Sequence, residues 1–122
     1  MMNVIISDST YIRDIQNEFN KNYSHLWIDF FYPGNSSEMP TVKSVIIPPD
    51  TLAKHLIAIK GTVSINLSGT KTVVQLEKDF LEILGTKVKV MRKSGNVWVG
   101  TSYTNNWTLE NQNFEGKDIN LD

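Results

Sequence analysis

Two sets of apolar residues at helical spacing constrain this chain more than any other feature. Ile12, Ile15, Phe19 and Tyr23 recur at intervals of three and four, and Val73, Leu76, Phe80 and Leu84 repeat the pattern at a constant offset of 61 residues. Polar residues lie between them, so each set reads as one apolar stripe of an amphipathic helix. Each helix is flanked by two β-prone runs, Asn3 to Ser7 with Leu26 to Tyr32, and Thr62 to Leu67 with Lys87 to Arg92. The arrangement suggests two β-α-β units related by internal duplication. Any two amphipathic helices share such spacing, so the repeat in periodicity does not by itself establish one in structure.

The expected fold class is α+β, a mixed sheet carrying helices, with right-handed crossovers making the strands within each unit parallel. One domain is expected over residues 1–122. Residues 1–32 form the first unit, 33–61 a loop, edge strand and short helix, and 62–116 the second unit with a hairpin and C-terminal helix. Leu26 to Tyr32 is apolar on both faces apart from Asp29, which suggests a central strand covered on two sides. Residues 33–50 hold all four prolines around one β-prone run, Val42 to Ile47. Asp50 can cap a short helix with Leu52, Leu56 and Ile59 on one stripe, closed by Gly61.

Several helix ends are legible. Asp8 or Ser9 can accept from the free amides of the first helix. Thr72 and Gln75 have the spacing of a capping box, and Gly85 is placed for a left-handed C-terminus. Asn106 can cap a helix from Trp107 to Glu115, closed by Gly116.

Composition removes several function classes. An apolar fraction of 40% with a charged fraction of 20% is that of an ordinary globular chain, too hydrophobic for disorder. The formal charge of -1 provides no global field toward nucleic acid or an anionic membrane, so the charge balance disfavours nucleic acid. The absence of cysteine rules out disulfides, thiolate metal sites and thiol nucleophiles together. No apolar run approaches the ~20 residues of a membrane span, and no signal-like segment opens the chain, so a cytoplasmic location is expected.

Catalytic signatures are missing as well. His25 and His55 lack the spacing of a helical zinc site, the glycines fall singly, and no serine sits in a nucleophile elbow. Glu77, Asp79 and Glu82 read as a solvated helix face. No metal and no cofactor is expected, and no catalytic residue can be nominated. An enzyme whose site forms only in three dimensions would draw on His25, His55, Asp29 and Glu38.

The hairpin offers the most informative surface. With Ser94-Gly95 as the turn, Val90 faces Val99 on one side and Met91 faces Trp98 on the other, with Lys89 on the Trp98 side. Lys89, Met91, Arg92, Lys93 and Trp98 are the candidate binding residues, Arg92 lying on the opposite face near the tip. Aromatic and cationic groups suit partner hot spots and base stacking alike. A C-terminal helix carrying Trp107, Leu109 and Phe114 is expected to cover this face and bury Trp98.

From Thr72 onward, the runs Thr72 to Phe80, Val88 to Trp98 and Trp107 to Gly116 resemble a family of small bacterial proteins of Bacteroides type, most specifically in Arg92-Lys-Ser-Gly-Asn-Val-Trp98 and Trp107-Thr-Leu-Glu-Asn-Gln-Asn113. The resemblance covers a little over a third of the chain, implies a bacterial cytosolic origin, and brings no catalytic residues. The reading that follows is a non-catalytic interaction or scaffolding domain whose partner is another protein. Single-stranded nucleic-acid binding and a cryptic enzyme are the alternatives.

Overall fold

A computed structural model describes residues 2–32, 45–56 and 61–119, with only the backbone considered for 117–119. The fold is α+β, with three α-helices and two antiparallel sheets among the described residues. In chain order the elements are β1 (Asn3–Ile6), α1 (Ile12–Asn22), β2 (Leu26–Phe31), β3 (Val63–Asn66), α2 (Val73–Leu84), β4 (Lys87–Ser94), β5 (Val97–Gly100) and α3 (Leu109–Ile119). Short 3-10 turns at Ala53–His55 and Ser102–Thr104 complete the list. No helix among the described residues is long and apolar enough to cross a membrane.

Strand pairing departs from the expected parallel crossovers. β1 pairs with β3, and β2 with β4, so both of these ladders join one predicted unit to the other; they run antiparallel, as does the β4-β5 hairpin within the second unit. Each unit splits its two strands between the sheets, whose orders are β1-β3 and β2-β4-β5. The physical reason lies in the faces. Val4, Ile6 and Ile65 on one ladder, with Leu67 just past it, and Leu26, Ile28, Phe30, Val88 and Val90 on the other all enter a single buried cluster with the helical stripes. Phe30 meets Phe80 edge-on at 5.2 Å between ring centroids.

The helices begin in matching ways. An α-helix leaves its first amides without internal acceptors. In α1, Ile12 N and Arg13 N donate to Thr51 O and Pro49 O, each at 2.9 Å, and Ala53 N returns a bond to Thr10 O at 2.8 Å. In α2, Val73 N and Val74 N donate to Trp107 O at 3.1 Å and Asn105 O at 2.9 Å, and Leu109 N returns to Lys71 O at 2.8 Å. Bridges Tyr11↔Leu52 and Thr72↔Thr108 occupy corresponding places. The returning backbone therefore does for α1 what Asp8 or Ser9 was expected to do. Residues 7–10 close a turn of their own, and Tyr11 N donates to Asp14.

At α2 the expected capping box forms: Thr72 N donates to Gln75 Oε1, and Gln75 N to Thr72 Oγ1. Gly85 closes the helix in the left-handed region at φ 68°. α3 differs from its expected span. It begins at Leu109, with Thr108 Oγ1 accepting from Asn111 N, and runs through Gly116. Close packing favours glycine at position 116, because a Cβ would stand 3.0 Å from His25 Cβ and 3.2 Å from Arg92 Cγ, closer than ordinary van der Waals contact. The short helix expected after Asp50 reduces to the 3-10 turn, and its Ile59 lies outside the described residues. So do Val42 to Ser44, while Ile46 and Ile47 pair with the open side of β2.

Tyr23, at the end of α1, is buried and donates its hydroxyl to Leu67 O just past β3. Burial, and secondarily the negative charge of Glu110, push its phenol from 10.0 up to about 12. Folded protein thus keeps this proton in a range where unfolded chain has lost it. The contribution is complete below pH 10 and is lost as pH rises through about 12. Denaturant titrations across that range should show stability falling in the wild type, with a shallower fall in Tyr23→Phe.

Candidate functional site

Antiparallel pairing puts directly opposed residues on the same side of a sheet, and this sorts the three-stranded sheet into two faces. Toward the core lie Leu26, Ile28 and Phe30 with Arg92, Val90 and Val88 as partners. Away from it lie Trp27, Asp29 and Phe31, opposed by Met91, Lys89 and Lys87. The hairpin adds Trp98 opposite Lys93 and Gly100 opposite Met91 to that outer face. β2 is therefore covered on one face rather than two. Its outward residues are only half-buried.

The hairpin turn is Gly95-Asn96, with Ser94 opposite Val97 and Gly95 at φ 62°. Relative to a Ser94-Gly95 turn, the register moves by two residues. An even shift leaves every side chain on its expected face but changes its neighbour, so Trp98 lies opposite Lys93 instead of Met91.

Four of the five candidate residues, Lys89, Met91, Lys93 and Trp98, share the outer face. Arg92 does not belong with them. It points inward, donates from Nη1 to Gln112 Oε1 at 3.0 Å and places its guanidinium 5.6 Å from the centroid of the Trp107 ring. Gln112 is fully buried and donates to Thr104 O at 2.7 Å and Thr104 Oγ1 at 2.8 Å. Arg92 is thus a strut between β4, α3 and the 102–104 turn.

This network also explains why α3 leaves Trp98 uncovered. Leu109 enters the core, Trp107 takes the Arg92 side and Gly116 packs on Arg92 and His25, all on the opposite face of the sheet. Trp98 retains 42% of its accessible surface, against the burial expected from the sequence.

Two depressions include residues of the outer face together with residues of the helices. One, of about 430 Å³, is lined by Asn20, Trp27, Asp29, Met91 and Trp98. Trp27 Nε1 donates to Asp29 Oδ1 at 3.0 Å, which ties the carboxylate to the indole. The other, also about 430 Å³, has Phe31, Val74, Leu81 and Val88 as its apolar part and Glu77, Lys87 and Lys89 among its charged groups. Lys89 Nζ stands 5.4 Å from the Phe31 ring centroid. Burial pushes the Glu77 carboxyl up, and the nearby Lys89 charge opposes that shift. Among the described residues, no carboxylate lies within ion-pair distance of Lys87, Lys89 or Lys93. Trp27, Phe31 and Lys87 were not singled out from the sequence, although their alternation with the core residues of the same strands marks them as one face.

The pieces of a cryptic enzyme are dispersed. His25 N donates to Asn113 Oδ1 beside α3, His55 is exposed in the 53–55 turn, and Asp29 belongs to the outer sheet face. Glu38 lies outside the described residues. Among the described residues no group of three or more metal-ligating side chains forms.

The exposure of Trp98 sets the expected effect of its removal. Trp98→Ala should lower stability by about 1 kcal/mol, whereas Phe80→Ala, which empties part of the core, should cost ~3–5 kcal/mol. Urea denaturation of the two variants compares them directly. Comparisons with protein-family models, curated proteins and solved structures find no match to this chain.

Proposed function

We propose that this chain is a non-catalytic interaction domain that docks another protein on the outer face of its three-stranded sheet. The supporting observation is the placement of α3 on the opposite face, which leaves Trp98 open beside Lys93, Met91 and Trp27, with Lys89 and Lys87 further along the same face of β4. Aromatic and thioether side chains gathered on an open surface provide the large contact area from which interface hot spots are built. Lysines at its margin supply orientation and choice of partner more than affinity. The scattering of His25, His55 and Asp29 supports a binding role over a catalytic one.

We also infer that the two halves are structural repeats. The matched hydrogen bonds at the starts of α1 and α2, made by segments that return after each unit's second strand, support this reading along with the 61-residue helical offset. On that view the second unit's hairpin is where the halves diverged toward binding.

A photo-crosslinking amino acid at position 98, introduced in the organism that encodes the chain, tests the docking role. A discrete protein adduct should form from position 98 and not from Ser64, which is exposed on β3. Equal, diffuse labelling from both positions would count against the outer face as the docking surface.

A further inference from the structure

We infer that the free edge of β5 takes up an extended acidic polypeptide segment as an added strand, with alternate side chains lying over Gly100 on the outer face. This rests on the docking role proposed for that face and names the kind of partner it fits. Among the described residues β5 pairs with β4 alone, so the backbone groups along its far side face solvent. An unpaired edge of this kind is a template for another strand unless it is blocked by charge, proline or a bulge. Val97 and Trp98 are exposed along it, and Val97 to Gly100 contains no charged residue and no proline.

Gly100 is the informative position. Its φ is not positive, and a Cβ built there meets no atom within 4 Å. Neither backbone conformation nor crowding calls for glycine, which weakens a strand by roughly 0.5–1 kcal/mol relative to alanine. Its effect is to leave the row Trp27, Met91, Gly100 vacant at the edge, directly beside Trp98. A strand added about 4.8 Å beyond β5 can lay one apolar side chain into that vacancy, against Met91 and Trp98.

Charge determines the rest of the partner. Lys93 lies opposite Trp98, and Lys89 and Lys87 follow along the same face. Asp29, bonded to the Trp27 indole, stands opposite Lys89, with Glu77 also near Lys89, so Lys93 is the cation furthest from a carboxylate on this face. A glutamate side chain on the added segment can extend inward over Trp98 toward Lys93. A single nucleic-acid strand could stack on Trp98 as well, but it has no use for the unpaired backbone edge of β5.

The test uses the whole chain and labelled synthetic probes, followed by fluorescence anisotropy at low salt. The probes are a capped heptapeptide alternating Glu with Val and Tyr, its Gln counterpart, a version N-methylated at alternate amides, and an oligothymidylate. The Glu peptide should bind, the Gln peptide about tenfold more weakly, and the N-methylated peptide hardly at all. Gly100→Leu should weaken the Glu peptide by about tenfold while leaving the denaturation midpoint unchanged or raised. No binding of the Glu peptide at about 1 mM, or no effect of Gly100→Leu, overturns strand addition. Tighter binding of oligothymidylate than of the Glu peptide overturns the choice of partner. If the N-methylated peptide binds as well as the parent and Trp98→Ala still abolishes it, the sheet face stands as a docking surface and only strand addition falls. If Trp98→Ala binds every probe like wild type, both readings fall.

Discussion

The ladder between β2 and β4 is the constraint on which the rest of the structure depends. It pairs six residues of one half of the chain with six of the other, from Leu26↔Arg92 to Phe31↔Lys87. Because side chains alternate across a sheet, this single register decides two things at once. It delivers Leu26, Ile28, Phe30, Val88 and Val90 to the core, and it sends Trp27, Phe31, Met91, Lys87 and Lys89 to the outer face. A one-residue slip of β4 against β2 would turn β4 over, sending Lys87 and Lys89 toward the core in place of Val88 and Val90. The core and the candidate site are opposite sides of the same pairing.

Around that ladder, backbone hydrogen bonds between distant segments do much of the positioning. The returning segments at 49–53 and 105–109 satisfy the first amides of α1 and α2, and the second of them leads directly into α3. The direction of α3 thus follows from how α2 begins, and the Arg92, Gln112 and Thr104 network then holds it against the inner side of the sheet. Exposure of Trp98 is a consequence of this chain of contacts, since Leu109 of α3 is committed to the core on the other face, while Phe114, expected to cover Trp98, is itself exposed.

Features carried by local chemistry were legible in the sequence. The α2 capping box, the left-handed Gly85, the helical stripes and the alternation of β4 all follow from spacing that neighbouring residues enforce. The faces of the hairpin were legible for the same reason, although its register was two residues off because Ser94-Gly95 and Gly95-Asn96 are both credible turns. Long-range features were not legible. Which strand pairs with which depends on contacts some sixty residues apart, and no local pattern near Ile12 announces that Pro49 and Thr51 will supply its acceptors. Gly116 misled as a helix stop because glycine serves both chain reversal and close packing, and only the approach of His25 and Arg92 distinguishes them. Arg92 misled in a similar way: its position near a hairpin tip suggested an exposed cation, while its inward parity makes it a strut.

The sheet therefore has one edge and one face committed to the fold, with the other face and the edge at β5 open. Site-resolved amide hydrogen exchange of the native protein tests this division most directly, because it measures the opening free energy of each strand separately. The account predicts that amides of β2 and those of β4 bonded to it exchange only with global unfolding, together with the cores of α1 and α2. Amides of β5 that point away from β4 should exchange rapidly. Protection of those β5 amides, or separate opening free energies for the two halves across the β2 and β4 ladder, would contradict it.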